Sequence, residues 1–487
     1  MKKSLLFKSV IFAAVASFAV ACDDDVNLGA VDTGNLAVPD NNVVYVTDAQ
    51  GQRNYSSLDL RNSLTSQLVV NAPSSVASDT KVTFAYDPTV LSEYNTNNGY
   101  DYEAIPESFV AFANGGVTTL KAGEIKATID YTLTSDGSLD ASKSYVLPVR
   151  VKIEGDAQLG ETDGAKVIFI NDLSSLPDAT KYVKDENGNL VPGIKIFSVM
   201  EVNDTNPLNN LPFTLKSSGK PLIDAVVLFS SNININSQTG KVYVRHNENN
   251  QAIFSNYDKY IKPLKDRGMK VYLSILGNGD IAGISSLADE TAKEFAKEVK
   301  NVCDTYNLDG VFWDDEYSKE ITGEAPPGFY KIRNTPEGYE RASYLLYQVW
   351  KLQPHRDNIA YCFSSTGQLR TVEGVTPGEY CRYALHNYAG SWDMSIYYPG
   401  MQRSQMGLYS QELNLSNLAT LAQLQQMRAD GYGCHMIFAL DPRTQAEGGN
   451  RIDWYIQRQH QALENCAKAF YDDELVDDGT RYQKDWL

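Results

Sequence analysis

The hydrophobic rhythm of the chain changes once. From residue 41 to 172, apolar and polar positions alternate in short runs: NNVVYVTD, SQLVVNA, TKVTFAYD, SFVAFAN, IKATIDYTL, SYVLPVRVKIEG and AKVIFIND. Polar or glycine-containing turns separate them at a spacing that predicts an all-β, sandwich-like domain. Nothing in this half suggests chemistry. Residues 173–192 form a polar connector. Over 193–475, strand-like runs (IKIFSVMEVN, AVVLFSSNI, KVYLSIL, GVFWDDE, NIAYCFSS, RYALHNY, MGLYSQ, CHMIFALD) are interleaved with helix-period segments such as ADETAKEFAKEVKNVCDTY and NLATLAQLQQMRADG. Eight strands with helices between them predict an α/β fold, a (β/α)8 TIM-like barrel. A doubly wound parallel sheet is the competing arrangement.

The first 40 residues have another texture. MKKSLLFKSVIFAAVASFAVAC carries lysines at 2, 3 and 8, an apolar run too short to span a bilayer comfortably, and then small residues. Residues 1–21 are thus expected to be a signal peptide. Ala19-Val20-Ala21-Cys22 resembles the lipobox of bacterial lipoproteins, in which the cysteine is lipidated and becomes the first residue. The following Asp23-Asp24-Asp25 resembles the acidic export tag of Bacteroidetes surface lipoproteins. An outer-membrane lipoprotein exposed at the cell surface is the expectation, with a simple secretory signal as the alternative. Residues 22–40 read as a flexible acidic tether.

Bulk properties narrow the class. The 487 residues, 43% hydrophobic and 21% charged, are those of a globular protein of two or three domains. A net charge of −18 argues against nucleic-acid binding, because phosphates would be repelled over most of the surface. Cys303, Cys362, Cys381, Cys434 and Cys466 are widely spaced in apolar patterns, so buried free thiols are expected. The scattered histidines lack metal-ligand spacing. GNGDIAG has Ala282 where a dinucleotide fingerprint needs its third glycine. No cofactor or metal is expected.

Candidate chemistry concentrates in YNLDGVFWDDEYS, residues 306–318. In a barrel strand, side chains alternate between the interior and the surrounding helices. Phe312, Asp314 and Glu316 share one parity; Val311, Trp313 and Asp315 share the other. With the first set inward, Asp314 and Glu316 meet at the C-terminal end, where barrel active sites lie, their Cα atoms roughly 6–7 Å apart. Two close acids in a cleft tend to share a proton, which raises the pKa of one toward the range of a general acid.

LDGVFWDDEY resembles the fourth-strand motif of glycoside hydrolase family eighteen, D-G-x-D-x-D-x-E, and most of all its endo-β-N-acetylglucosaminidase branch typified by endoglycosidases H and F. MEVNDTNPLNN, VVLFSSNININSQTGKVYVRHNEN, KVYLSILGN, YALHNYAGSW and MIFALD are similar to further strands of those enzymes, in order. The β domain resembles an N-terminal module of such enzymes in gut Bacteroides. The resemblance implies hydrolysis of the β-1,4 bond between the two core GlcNAc residues of N-glycans, high-mannose favoured, with retention. The nucleophile is then the substrate's own N-acetyl carbonyl. It implies that Glu316 is acid and base, that Asp314 holds the acetamide N–H, and that Tyr388 holds the acetamide carbonyl. Glu201, Asn203, Asn232, Gly277, Asn278, His386 and Trp392 become candidate glycan contacts. Asp309 becomes a structural acid. Outer-membrane attachment through Cys22 and neighbouring glycan-uptake proteins are the partners it suggests.

Phe312 departs from the motif, which has an acid there. Asp314 loses that like-charged neighbour, so less elevation of its pKa is expected from that cause. Two other functions remain open at this level: a surface glycan-binding protein on a decayed barrel, and a chitinase-like hydrolase.

Overall fold

The computed structural model describes residues 43–486, except 50, 54, 142, 186, 332–334, 388–391 and 416. The first half is two facing sheets. One has the order 158–159, Val43–Asp48, Ser63–Asn71, Lys126–Thr134, Val110–Phe112; the other runs Tyr55–Leu60, Ala165–Asp172, Ser144–Glu154, Thr80–Tyr86, Val117–Leu120. Alternation decides what is buried: Val44, Val46, Leu68, Val70, Ile129 and Tyr131 from one sheet meet Phe84, Leu147, Val149, Ile168 and Ile170 from the other. A helix that the strand pattern did not suggest, Pro88–Asn98, covers the outer face of the second sheet through Val90 and Leu91. Its ends are fixed locally. The Asp87 carboxylate accepts from the Thr89 N–H, Pro88 opens the first turn, and Gly99 closes it at φ 70°.

The polar connector is not merely a tether. Tyr182–Lys184 and Leu190–Pro192 pair as a hairpin, and Lys181 anchors it by a 2.6 Å ion pair to Asp224.

The second half is a nearly closed barrel of eight parallel strands, β1 Lys195–Glu201, β2 Ala225–Ile235, β3 Lys270–Leu276, β4 Gly310–Asp314, β5 Asp357–Tyr361, β6 Tyr383–Leu385, β7 Ser410–Glu412 and β8 Cys434–Phe438. The ladder runs β6-β5-β4-β3-β2-β1-β8-β7, and the remaining seam is spanned by a parallel bridge between Ala384 and Met406. Closure excludes the doubly wound sheet. Inward-facing Phe197, Val199, Val227, Tyr272, Phe312, Ile359, Tyr361, Tyr383 and Met436 pack as a separate interior core. Their neighbours of opposite parity join the larger core between strands and helices.

Helices follow the expected periodicity. In Asp289–Thr305 the buried residues are Ala292, Phe295, Ala296, Val299 and Cys303, three or four apart. Pro336–Leu352 is capped by the Thr335 hydroxyl, and Leu421–Ala429 by a Thr420/Gln423 capping box. Between β5 and β6 the helix shrinks to the single turn Pro377–Tyr380. Past the last helix, Asp453–Tyr471, the chain stays attached: Leu475–Asp477 pairs with Phe213–Leu215, and Trp486 donates to Asn249 at 3.0 Å.

The sandwich meets the barrel at the N-terminal ends of the strands. Lys270, first residue of β3, bridges Asp357 at the start of β5 (3.1 Å) and Asp59 of the sandwich (3.4 Å). Tyr102 and Phe169 flank the half-buried His355 ring with centroids 5.9 and 5.8 Å away. Cavities of about 380 and 350 Å³ lie along this seam. The C-terminal rim of the barrel is therefore left uncovered by the sandwich, which docks at the opposite end.

Candidate active site

Every residue of β4 is buried, yet its two faces differ. Val311 and Trp313 point to the helices, and the Trp313 indole N–H donates to Asn358 Oδ1 at 3.0 Å, which fixes the parity of the strand. Phe312 therefore points into the barrel, its ring 5.8 Å from that of Tyr361. Two residues on, Asp314 inherits the inward direction and is 5% exposed. Two further on, Glu316 is half-buried just beyond the strand. Register sets these groups at the rim: Asp314 pairs with Leu276 of β3, and Leu276 with Asn232 of β2.

The Asp314 carboxyl is pushed well above the usual carboxylate range, first by burial and then by the negative charges of Glu316 and Asp315. The acid missing at 312 is replaced by an apolar floor, so dehydration takes the leading part that a like-charged neighbour has in the motif. Asp314 Oδ1 is buried and has no hydrogen-bond partner among the described residues. A buried carboxyl oxygen of this kind is costly unless something else completes it.

Asp315 turns the other way and is fully buried, as its parity requires. Its Oδ2 accepts from Ser365 Oγ (2.5 Å), Ser365 N (3.3 Å), Ser364 Oγ (3.2 Å) and Ser285 Oγ (3.4 Å). Beyond Glu316, Tyr317 takes φ 57° and is 66% exposed, and the Glu316 carboxylate beside it pushes its phenol upward.

Glu201 ends β1 with inward parity beside the Phe229 and Phe438 rings, and burial, followed by Asp204, raises its carboxyl to about 7. Asn203 donates to Glu201 Oε1 at 2.8 Å and accepts from Asn247 (3.1 Å) and Asn249 (2.9 Å). Asn232 and Gly277 support β4 from its neighbours. The Asn232 amide donates to the carbonyls of Leu276 (3.3 Å) and Gly277 (3.2 Å), while Gly277 lies directly against the Glu316 backbone. Asn278 donates to Asn234 Oδ1 at 3.0 Å, and Asn234 to Asp280 Oδ2, also at 3.0 Å, which braces the loop after β3. His386 is buried, with its Nδ1 3.0 Å from the Asn387 carbonyl oxygen and Trp392 edge-on at 4.3 Å. Burial lowers its pKa. Trp392 is 44% exposed. Tyr388 and Cys22 lie outside the described residues. Asp309, just before β4, accepts from the Val271 N–H (2.7 Å) and pairs with Lys265 (3.1 Å), a structural position at the far end of the barrel.

Sequence reading passed over the Ser364–Ser365 staple on Asp315 and the aromatic Phe363 beside it. The alternation Ile359, Tyr361, Phe363 was the available signal for the second. Cys303, Cys362, Cys381, Cys434 and Cys466 are buried free thiols, as their apolar settings predict, and no metal-ligand cluster occurs among the described residues.

A family model for an N-terminal domain matches residues 39–158. Over 300 residues the chain is 48% identical to endo-beta-N-acetylglucosaminidase F1 of Elizabethkingia meningoseptica, covering 61% of this chain and 84% of the relative. It is 30% identical over 244 residues to an endo-beta-N-acetylglucosaminidase of Flavobacterium sp. (strain SK1022), covering 50% of this chain and 73% of that one. EndoBT-3987 of Bacteroides thetaiotamicron superimposes with a TM-score of 0.78 at 27% identity, over 91% of this chain and 98% of that one, in its complex with a Man5GlcNAc product. Its complex with a Man9GlcNAc2Asn substrate gives 0.72.

Proposed function

The chain belongs to the endo-β-N-acetylglucosaminidase family of glycoside hydrolases, and from that premise we propose how its own residues hydrolyse the GlcNAc–GlcNAc core bond of high-mannose N-glycans. The carrying observation is the pair at the C-terminal end of β4: Asp314 inward and buried with its Oδ1 unpartnered among the described residues, and Glu316 half-buried just beyond the strand.

Asp314 and Glu316 hold one proton between them in the free protein, resting on the buried Asp314, and it passes to Glu316 when the acetamide N–H binds Asp314 and favours its carboxylate. Substrate places its acetamide N–H at Asp314 Oδ1. The acetamide carbonyl oxygen attacks the anomeric carbon as the glycosidic C–O bond breaks, and Glu316 delivers its proton to the departing oxygen. Asp314, now a carboxylate, faces the positive oxazolinium-like ring and stabilises it at short range in a dry setting. Glu316 then takes a proton from water, which opens the ring at the anomeric carbon and restores the acetamide. Configuration is retained, and one GlcNAc stays on the protein. Phe312 gives this chemistry an apolar floor that keeps Asp314 dehydrated. Tyr388 is assigned the acetamide carbonyl from its match to the family motif. The substrate and product bound by EndoBT-3987 support the high-mannose class.

The reading is tested by weighing a high-mannose glycoprotein before and after incubation. Loss of every sugar except one GlcNAc per site is the expected result; an unchanged mass with glycan binding intact points to the decayed glycan binder, and cleavage of chitin oligomers alone points to a chitinase.

For location, we propose that Cys22 carries the lipid that holds the chain at the outer membrane. The lipobox-like Ala19-Val20-Ala21-Cys22 and the acidic residues after it support this. Palmitate labelling that is lost in Cys22→Ala, with release of the protein from membranes, is expected; labelling that persists overturns it.

A further inference from the structure

The loop after the partner strand of β4 carries an aromatic ring next to the segment that holds Asp314 and Glu316. Phe312 pairs with Ile359 and Trp313 with Ala360. Past the ends of both strands, Ser364 and Ser365 meet the Asp315 carboxylate, which brings the loop that carries Phe363 against the segment Asp314–Glu316. Parity agrees, since Ile359 and Tyr361 belong to the interior core and Phe363 follows them by two. The Phe363 ring stacks on Tyr361 with centroids 6.1 Å apart at 19°, and Tyr361 lies 5.8 Å from Phe312. An aromatic column thus rises from the barrel interior to the rim, and its top member is 38% exposed.

The backbone around Phe363 is closely constrained. Its N–H donates to the Tyr361 carbonyl at 2.7 Å, and its carbonyl accepts from the Thr366 hydroxyl at 2.8 Å. Ser364 then adopts φ 47°, unusual for a residue with a side chain, which orients its hydroxyl and the Ser365 N–H and hydroxyl onto Asp315. The buried carboxylate lying between Asp314 and Glu316 in sequence therefore pins the loop that carries Phe363. Four consecutive residues divide the work: Asp314 and Glu316 face the substrate, Asp315 faces the neighbouring loop, and Tyr317 is exposed at the rim.

Glu316 must stand on the leaving-group side of the bond it protonates, with Asp314 deeper under the acetamide. The first sugar beyond that bond then meets the rim where Phe363 and Tyr317 are exposed. An aromatic face presented to the C–H face of a pyranose gives contact area and orientation with few polar groups. We propose that Phe363 is the platform for the GlcNAc that remains on the glycoprotein, and that Asp315 positions it. This rests on the endo-β-N-acetylglucosaminidase reading above.

The test compares two reactions of the full chain. One is hydrolysis of a high-mannose glycopeptide, which fills both sides of the bond; the other is hydrolysis of the preformed oxazoline of the same glycan, which has no leaving sugar. Phe363→Ala should raise KM for the glycopeptide about tenfold, the scale of one aromatic contact, and leave oxazoline hydrolysis within about twofold. Phe363→Trp should restore the glycopeptide reaction. Ser365→Ala, which removes a donor to Asp315 and leaves the charge beside Asp314 in place, should show the same selective loss in smaller measure. Equal losses on both substrates, or no change on either, overturn the proposal. A wild-type chain inactive on both removes the reading beneath it.

Discussion

A Cβ placed on Gly277 would stand 2.1 Å from the Glu316 carbonyl oxygen and 2.4 Å from the Ser318 N–H nitrogen. The end of β3 and the segment after β4 are thus in direct backbone contact, and Asn232 clamps the far side through the Gly277 carbonyl. Gly277→Ala must push Glu316 outward. A displacement near 1 Å at a catalytic group costs on the order of a hundredfold in rate, and overpacking costs about 1–3 kcal/mol. A kcat loss near that size, with a lowered melting temperature and glycan binding retained, is expected from kinetics and thermal unfolding.

Asp314 links stability to pH. Its carboxyl keeps its proton in the folded state well above the ordinary value, whereas in the unfolded chain it loses it near about 3.9. Between those two pKa values the unfolded state sheds a proton that the folded state retains, so stability from this group falls as pH rises. Asp314→Asn removes that dependence. The variant should gain melting temperature relative to wild type as pH increases from about 4, with little difference below it.

Glu201 should titrate near 7 by carboxyl carbon NMR, because burial beside apolar rings outweighs the amide proton it accepts from Asn203. That hydrogen bond favours the charged form. Asn203→Ala therefore moves the midpoint upward, and a downward move contradicts the assigned cause.

Restoring the acid of the family motif, Phe312→Asp, places a carboxyl among Val199, Tyr272, Ile359 and Tyr361. Loss of the ring and burial of a polar group each cost about 2–4 kcal/mol. Denaturant unfolding should show a large destabilisation, and a surviving fraction should show the Asp314 pKa raised further by the new neighbour.

Particular residues show how far sequence carries. The inward parity of 312 and 314 was legible because alternation in a barrel strand leaves two choices, and Trp313 settles which one by its bond to Asn358. The staple of Ser364 and Ser365 on Asp315 was not, because those residues meet only when β4 and β5 pair across some fifty positions. Asn232, expected in the cleft, also donates to two carbonyls of the β3 end, which sequence did not suggest. An irregularity between Leu228 and Ser231 shifts the β2 register there, and alternation alone carries no mark of it. The helix Pro88–Asn98 had its Asp-Pro start and Gly99 stop in plain view, but with Val90 and Leu91 as its buried residues it had little periodicity to announce it.

The central claim is that Glu316 moves the proton and Asp314 holds the acetamide on an apolar floor. Single-turnover hydrolysis of a high-mannose glycopeptide by wild type, Glu316→Gln and Asp314→Asn tests it most directly. Losses of about 10²–10⁴ for Glu316→Gln and about 10²–10³ for Asp314→Asn are expected, with glycan affinity preserved in both. A Glu316→Gln protein that still cleaves within about threefold of wild type contradicts it.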